Sequence, residues 1–101
     1  MEKAPQGYVY ATRVAPDLVK IGRSRRAARA DACKAYVLEY EVLFCHIVTD
    51  MYAAELAAHQ ACAAYRIDTR ELFAGSIPEI TCLALNALRP YLRPILKTAR
   101  R

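Results

Sequence analysis

The feature that most constrains the fold is a pair of short β-type segments joined by a tight turn. Residues 7–13 read Gly-Tyr-Val-Tyr-Ala-Thr-Arg and are rich in the aromatic and β-branched residues that favour strands. Residues 18–22 form a second segment of this kind, and Pro16 presets the backbone for a turn between the two. Strands this close along the chain should pair antiparallel, so the sequence predicts a β-hairpin.

Two predicted helices flank a third strand. Residues 25–36 are alanine-rich and contain neither Gly nor Pro, which predicts a helix with Ser24 as its N-cap. Residues 41–48 are apolar nearly throughout, as is typical of a central strand buried on both faces. Thr49 or Asp50 can then cap a helix over residues 51–65.

The last third of the chain predicts a polar connection followed by another helix. Residues 66–75 are mostly polar, and within them Phe73 is expected to anchor the connection in the core. Ser76 can cap the next helix, which tolerates Pro78 in its first turn and runs to about Leu88. Pro90 then interrupts the helix.

The predicted order is β-β-α-β-α-α. It indicates an α/β (α+β) fold with a small three-stranded, mostly antiparallel sheet flanked by helices. The 101 residues suffice for one domain, with a core over 7–88 and a basic tail over 89–101.

Positive charge is concentrated in two blocks. Fifteen Lys and Arg against ten Asp and Glu give a formal charge of +5. The first block contains no acidic residue and consists of Lys20, Arg23, Arg25, Arg26 and Arg29. The second block lies in the tail and consists of Arg89, Arg93, Lys97, Arg100 and Arg101. Charge grouped in this way favours a partner rich in phosphate, such as nucleic acid.

Cysteine spacing and hydropathy bear on the compartment. The four cysteines form no C-x-x-C pair, so we expect buried free thiols in a reducing compartment and no zinc site. The N-terminal residues lack the apolar run of a signal peptide, and no stretch approaches the ~20 apolar residues of a membrane span. We therefore expect a cytoplasmic protein.

The hairpin carries the motif pair Gly7-Tyr8-Val9-Tyr10 and Lys20-Ile21-Gly22-Arg23. In these motifs the chain resembles the GIY-YIG endonuclease superfamily, in particular a phage and bacterial branch with this pair. The resemblance extends to His59 and to the Arg-Glu-x-Phe segment that contains Glu71. It implies a metal-dependent endonuclease that hydrolyses DNA phosphodiester bonds.

The resemblance implies a tyrosine as the group that orients or deprotonates the attacking water. Tyr10 matches that residue, although a free phenol has a pKa of ~10 and would need cationic neighbours to act near neutrality. Tyr8 lies two residues away on the same side of the strand, so the two could share or exchange this role. Lys20 stands where many members carry a second tyrosine, and its ammonium suits a phosphate or a nearby phenol.

The phosphate clamp of the family corresponds to an arginine on the first helix. Arg29 is our choice, since a guanidinium can bind two phosphate oxygens at once. Its spacing from the hairpin is slightly short, so Arg25 or Arg26 could take this role, with Arg23 contacting phosphate beside it. Arg89, Arg93 and Lys97, spaced by four, could add grip on nucleic acid.

Two further residues complete the implied site. His59 could donate to a phosphate oxygen or assist proton transfer, or it could simply bond to Glu55 one turn earlier on the same helix. Glu71 is the expected ligand of a single divalent cation, Mg²⁺ or Mn²⁺, unless it only pairs with Arg70.

Two other functions remain open. A non-catalytic nucleic-acid-binding or regulatory module on the same fold would explain the lysine variant and the lack of a separate recognition domain. A protein–protein adaptor has no positive support in the sequence. If the chain does cut DNA, double-strand cleavage would need a homodimer or successive nicks, and a protein partner could supply specificity.

Overall fold

The fold was analysed in a computed structural model, which describes residues 5–26, 41–68 and 71–93. The described strands are β1 (Gly7–Ala15), β2 (Leu18–Ser24), β3 (Glu41–Val48) and β4 (Leu72–Ala74). The helices are α1 (Met51–Ala61) and α2 (Ile77–Leu88), and short 3₁₀ turns follow at Ala63–Tyr65 and Arg89–Tyr91. The predicted α+β class is confirmed.

The sheet has four described strands, in the order β3-β1-β2-β4, and every pair is antiparallel. The prediction of three strands was therefore one short. Residues 66–75 do not form only a polar connection, because β4 pairs with β2 through Phe73 opposite Val19. Phe73 is fully buried, as expected of a core anchor.

β1 and β2 form the predicted hairpin, and β1 lies between β2 and β3. Successive side chains of a strand point to opposite faces of the sheet. Four successive residues of β1, from Val9 to Thr12, are buried, so both faces of this strand are covered. On one face, Val9 and Ala11 join a core that includes Ile21, and Tyr10 points to the other face.

β3 is an edge strand among the described residues, so the prediction of a central strand buried on both faces was wrong. Only Phe44 and Val48 of β3 are buried, while Val42 and His46 are exposed. Beyond β3, Leu92 forms an isolated bridge to Val48. The partly buried and exposed positions of β3 also carry apolar residues, so its sequence alone does not distinguish an edge strand from a fully buried one.

The two helices pack on each other, and both contact β2. Helix α1 begins where predicted, because the Asp50 side chain accepts a hydrogen bond from the Ala53 amide at 3.1 Å. It ends at Ala61 rather than at residue 65, since the chain tightens into a 3₁₀ turn after Cys62. Helix α2 begins after Ser76, whose hydroxyl accepts from the Glu79 amide at 3.3 Å, and ends at Leu88, both as predicted.

Some predictions fall wholly or partly outside the described residues. The helix over residues 25–36 lies outside them from residue 27 on, and so do Arg29, Cys33 and Lys97. Of the other cysteines, Cys62 is buried as expected, Cys45 is half-buried, and Cys82 is exposed, which corrects that part of the prediction. No described helix is long and apolar enough to cross a membrane.

Candidate active site

Tyr10 and Glu71 converge over Gly22. Tyr10 is the cross-strand neighbour of Gly22, and its side chain lies across the space that a side chain at residue 22 would occupy. A Cβ atom on Gly22 would lie 2.7 Å from the Tyr10 hydroxyl oxygen and 3.0 Å from Oε1 of Glu71. The glycine of the second motif therefore leaves room for a phenol and a carboxylate to meet.

Main-chain bonding fixes Glu71, which directly precedes the first residue of β4. The Ile21 amide donates to the Glu71 carbonyl at 2.9 Å, which continues the β2–β4 ladder by one bond. The Glu71 side chain is 35% exposed, and its Oε1 lies 3.9 Å from Nζ of Lys20. Lys20 thus supplies the nearest described cation to this carboxylate.

The surroundings of the Glu71 carboxyl disfavour its ionised form. Its pKa is raised, chiefly by partial burial and then by the negative charge of Glu55. The charges of Lys20, His59 and Arg23 act in the opposite direction without cancelling this rise. The ionised form of Glu71 would therefore be favoured by additional positive charge at the site.

Glu55 is a second carboxylate at the site, which the sequence marked only as a partner of His59. It is buried on α1, where its Oε1 pairs with the Arg23 guanidinium. Its Oε2 is buried and has no hydrogen-bond partner among the described residues, lying 3.8 Å from Nε2 of His59. The Arg23 pairing joins residues 32 positions apart, so only the fold reveals it.

His59 connects α1 to the main chain of β2. Its Nε2 lies 2.9 Å from the Ile21 carbonyl oxygen, which can only accept, so Nε2 carries the hydrogen. The ring is 8% exposed and packs against Phe73 at 5.2 Å between centroids. The carbonyl of Ile21, rather than Glu55, is therefore the main partner of His59.

The remaining basic candidates gather at one end of the sheet. Arg25 and Arg26 are exposed and follow directly on β2, where the Arg26 amide bonds to the Ser24 hydroxyl. Tyr8, which is half-buried, pairs with Ser24 on one side and with Ile47 on the other. The Arg93 amide bonds to the Ile47 carbonyl, so this exposed arginine lies in the same row across the sheet.

The structure thus brings together Tyr10, Lys20, His59 and Glu71 of the predicted catalytic set. It places Arg23, Arg25, Arg26, Arg89 and Arg93 at the surface, although Arg23 is already paired. In the described ranges, no three His, Cys, Asp or Glu residues are grouped to hold a metal ion.

Comparison with known proteins gives one result. A family model, that of the T5orf172 domain, matches residues 7–87. This range begins with β1 and includes all the described strands, α1 and nearly all of α2. No curated protein and no solved structure gives a significant match.

Proposed function

Because the chain belongs to the T5orf172 domain family, a phage-associated group of nuclease-like or DNA-binding domains, we propose that it is a metal-dependent endonuclease of GIY-YIG type. The proposed reaction is hydrolysis of DNA phosphodiester bonds. The observation that carries the proposal is the convergence of the Tyr10 hydroxyl and the Glu71 carboxylate over Gly22.

Tyr10 is proposed to orient the attacking water and to accept its proton. Its side chain is fixed by burial, so the hydroxyl is held in place before substrate arrives. Tyr8 points to the same face two residues away and remains the alternative for this role. Lys20 would contribute a cation to the same face. It lies on β2 opposite Thr12 of β1, two residues before Gly22.

Glu71 is proposed to hold one Mg²⁺ or Mn²⁺ ion. The fit rests on a partly exposed carboxylate whose pKa is raised by burial and by Glu55, so that added positive charge would stabilise its ionised form. Mg²⁺ suits a single carboxylate because the ion retains several waters. When bound, such an ion supplies charge neutralisation at the phosphate and stabilises the leaving oxygen.

The arginines are proposed to bind phosphate in two ways. Arg25 and Arg26 are exposed and without an acidic neighbour in sequence, so either can contact the DNA backbone. Arg29, our proposed clamp of the cleaved phosphate, lies outside the described residues. The Arg23 side chain remains 41% exposed while it pairs with Glu55. Part of it is therefore available to contact a phosphate.

His59 is proposed to position the site. Its bond to the Ile21 carbonyl holds α1 against the strand residue next to Gly22, and its burial keeps it from broad contact with substrate. With Nε2 donating, Nδ1 is the ring nitrogen that could accept a proton. Proton transfer through Nδ1 is therefore a secondary role in this proposal.

Cleavage of supercoiled plasmid with added Mg²⁺ or Mn²⁺ tests the proposal. Wild type should nick the plasmid only with metal, and Glu71→Gln should lower the rate by about 10²-fold or more. Glu41→Gln, which alters an exposed carboxylate paired with Arg13, is the matched control and should cut like wild type. Metal-independent cutting, or equal rates for the two variants, would refute the role of Glu71.

If no DNA form is cut but binding falls steeply with salt, a non-catalytic nucleic-acid-binding module becomes the better account. That module is the second candidate function. The pairing of Lys20 with Glu71 favours this non-catalytic function, because the Lys20 ammonium already lies beside the carboxylate that is proposed to bind the metal.

A further inference from the structure

Helix α1 presents an apolar surface next to the candidate site. Tyr52 is 50% exposed and Leu56 is 57% exposed. The two are four residues apart, so they share one face of the helix. Exposed helix faces of small domains usually carry polar residues instead.

Arg23 connects this surface to the site. Its guanidinium lies over the Tyr52 ring, 4.5 Å from the centroid, and also pairs with Glu55. On β2, Arg23 follows Gly22 directly, and the exposed Arg25 and Arg26 come next. The half-exposed Tyr52 ring therefore lies against a partly exposed guanidinium on the face of β2 that α1 covers, the face opposite Tyr10. The charge of this guanidinium still acts on the Glu71 carboxyl, which relates the aromatic ring to the candidate site.

We propose that Tyr52, with Leu56 beside it, is a stacking subsite for an unpaired nucleobase next to the cleaved phosphate. This inference rests on the proposed function and adds the form of the substrate. Aromatic rings within a cationic surface are how proteins bind single-stranded nucleic acid without reading its sequence. A base inside a duplex has both faces covered by its neighbours, so the subsite favours DNA with single-stranded or unstacked nucleotides.

The charge of the surroundings favours nucleic acid over a protein as the occupant. A protein partner would have to present an acidic patch to Arg23, Arg25 and Arg26 together with an apolar group for Tyr52. A nucleotide supplies both, since its phosphate is anionic and its base has an apolar face.

Binding of labelled oligonucleotides, measured by fluorescence anisotropy without divalent metal, tests the subsite. The probes are a single strand, the matching duplex and that duplex with one bulged nucleotide. Tyr52→Leu removes the aromatic face, and Tyr52→Phe retains it. Val42→Ala, at an exposed apolar residue on the β3 edge, is the control for loss of apolar surface.

Tyr52→Leu should weaken binding of the single strand and the bulged duplex by about 5- to 100-fold, whereas Tyr52→Phe and Val42→Ala should stay within about 2-fold of wild type. Binding of the plain duplex should be insensitive to all three. Equal affinity of Tyr52→Leu and wild type for the single strand would overturn the subsite while leaving the proposed function intact. If wild type bound none of the probes at low salt, both would be overturned, and Tyr52 would be assigned to a protein partner.

Discussion

Gly22 is the residue on which the geometry of the site depends. Its lack of a side chain leaves space that the Tyr10 hydroxyl and the Glu71 carboxylate both border. The glycine is not needed for an unusual backbone conformation, because the described glycine with positive φ is Gly75. The requirement at Gly22 is therefore one of space.

Gly22→Ala should impair the site while preserving the fold. The added methyl would lie within 3.0 Å of Tyr10 and Glu71 atoms, so one of these side chains must move. A displacement of about 1 Å can cost ~10²-fold in rate, and overpacking costs about 1–3 kcal/mol of stability. Plasmid nicking rates beside circular dichroism would check this, and a folded variant that cuts at the wild-type rate would contradict it.

Glu71→Gln should stabilise the protein near neutral pH. The raised pKa means that ionised Glu71 is less favourable in the folded chain than in the unfolded one, so its neutral form stabilises the fold. This stability is present below the usual Glu pKa of 4.5 and is lost as pH rises through the higher folded value. The neutral amide avoids that loss.

Thermal unfolding at several pH values measures this effect. Because Glu71 is 35% exposed, solvent screening should keep the gain of the variant below about 1 kcal/mol, with no gain in acid. Glu41→Gln, at an exposed carboxylate, should show no such gain. A Glu71→Gln variant less stable than wild type at neutral pH would disprove the assigned environment.

At the residue scale, the sequence predicted Tyr10 and Lys20 because both lie on the predicted hairpin, whereas Glu71 was named from the Arg-Glu-x-Phe segment in which it stands. Tyr10, Lys20 and Glu71 were named, and the fold brings them together. The link between Arg23 and Glu55 was not predicted, because nothing in sequence relates residues on a strand and on a later helix. The Ile21 carbonyl as partner of His59 was missed for the same reason.

At the element scale, the helix boundaries with side-chain caps were predictable, and the short strand was not. Asp50 and Ser76 each precede an apolar helical segment and accept a main-chain amide, which is a local signal. Strand β4 has three residues, too few to show an alternating pattern, and exists because β2 offers it an edge. The position of β3 at the edge likewise depends on which strands pair, not on its own composition.

Asp50→Ala should weaken α1, which carries Glu55 and His59. The variant loses the hydrogen bond to the Ala53 amide at the first turn, at a cost of about 1 kcal/mol of unfolding free energy. Asp50→Asn keeps a capping oxygen and should retain most of the stability. Urea unfolding of the two variants measures the difference, and equal losses would show that the cap is not the source.

At the scale of the whole molecule, positive charge is gathered at one end of the sheet. One continuous row across the sheet consists of Ser24, Tyr8, Ile47 and the Arg93 backbone. The arginines after β2 and those after α2 therefore border the same end of the sheet. Strands are about 4.8 Å apart, so this row spans roughly 15 Å. DNA lying along it could contact both groups of arginines.

The salt dependence of DNA binding should report this arrangement. The double substitution Arg89→Ala and Arg93→Ala should weaken binding to all sequences alike and reduce the slope of log K against log salt by about 2. Arg13→Ala is the matched control, because Arg13 pairs with Glu41 at the other end of β1. An unchanged slope in the double variant, or an equal change in the control, would exclude the second group from the DNA contact.

The most direct test of a hydrolytic site at Gly22 is the nicking rate of Tyr10→Phe. This change removes one oxygen atom from a buried ring and leaves its packing intact. With Mg²⁺ or Mn²⁺ present, the rate should fall by about 10²- to 10⁴-fold, while Tyr91→Phe, after α2, should cut like wild type. Tyr10→Phe cutting as fast as wild type, with both proteins folded, would contradict the account.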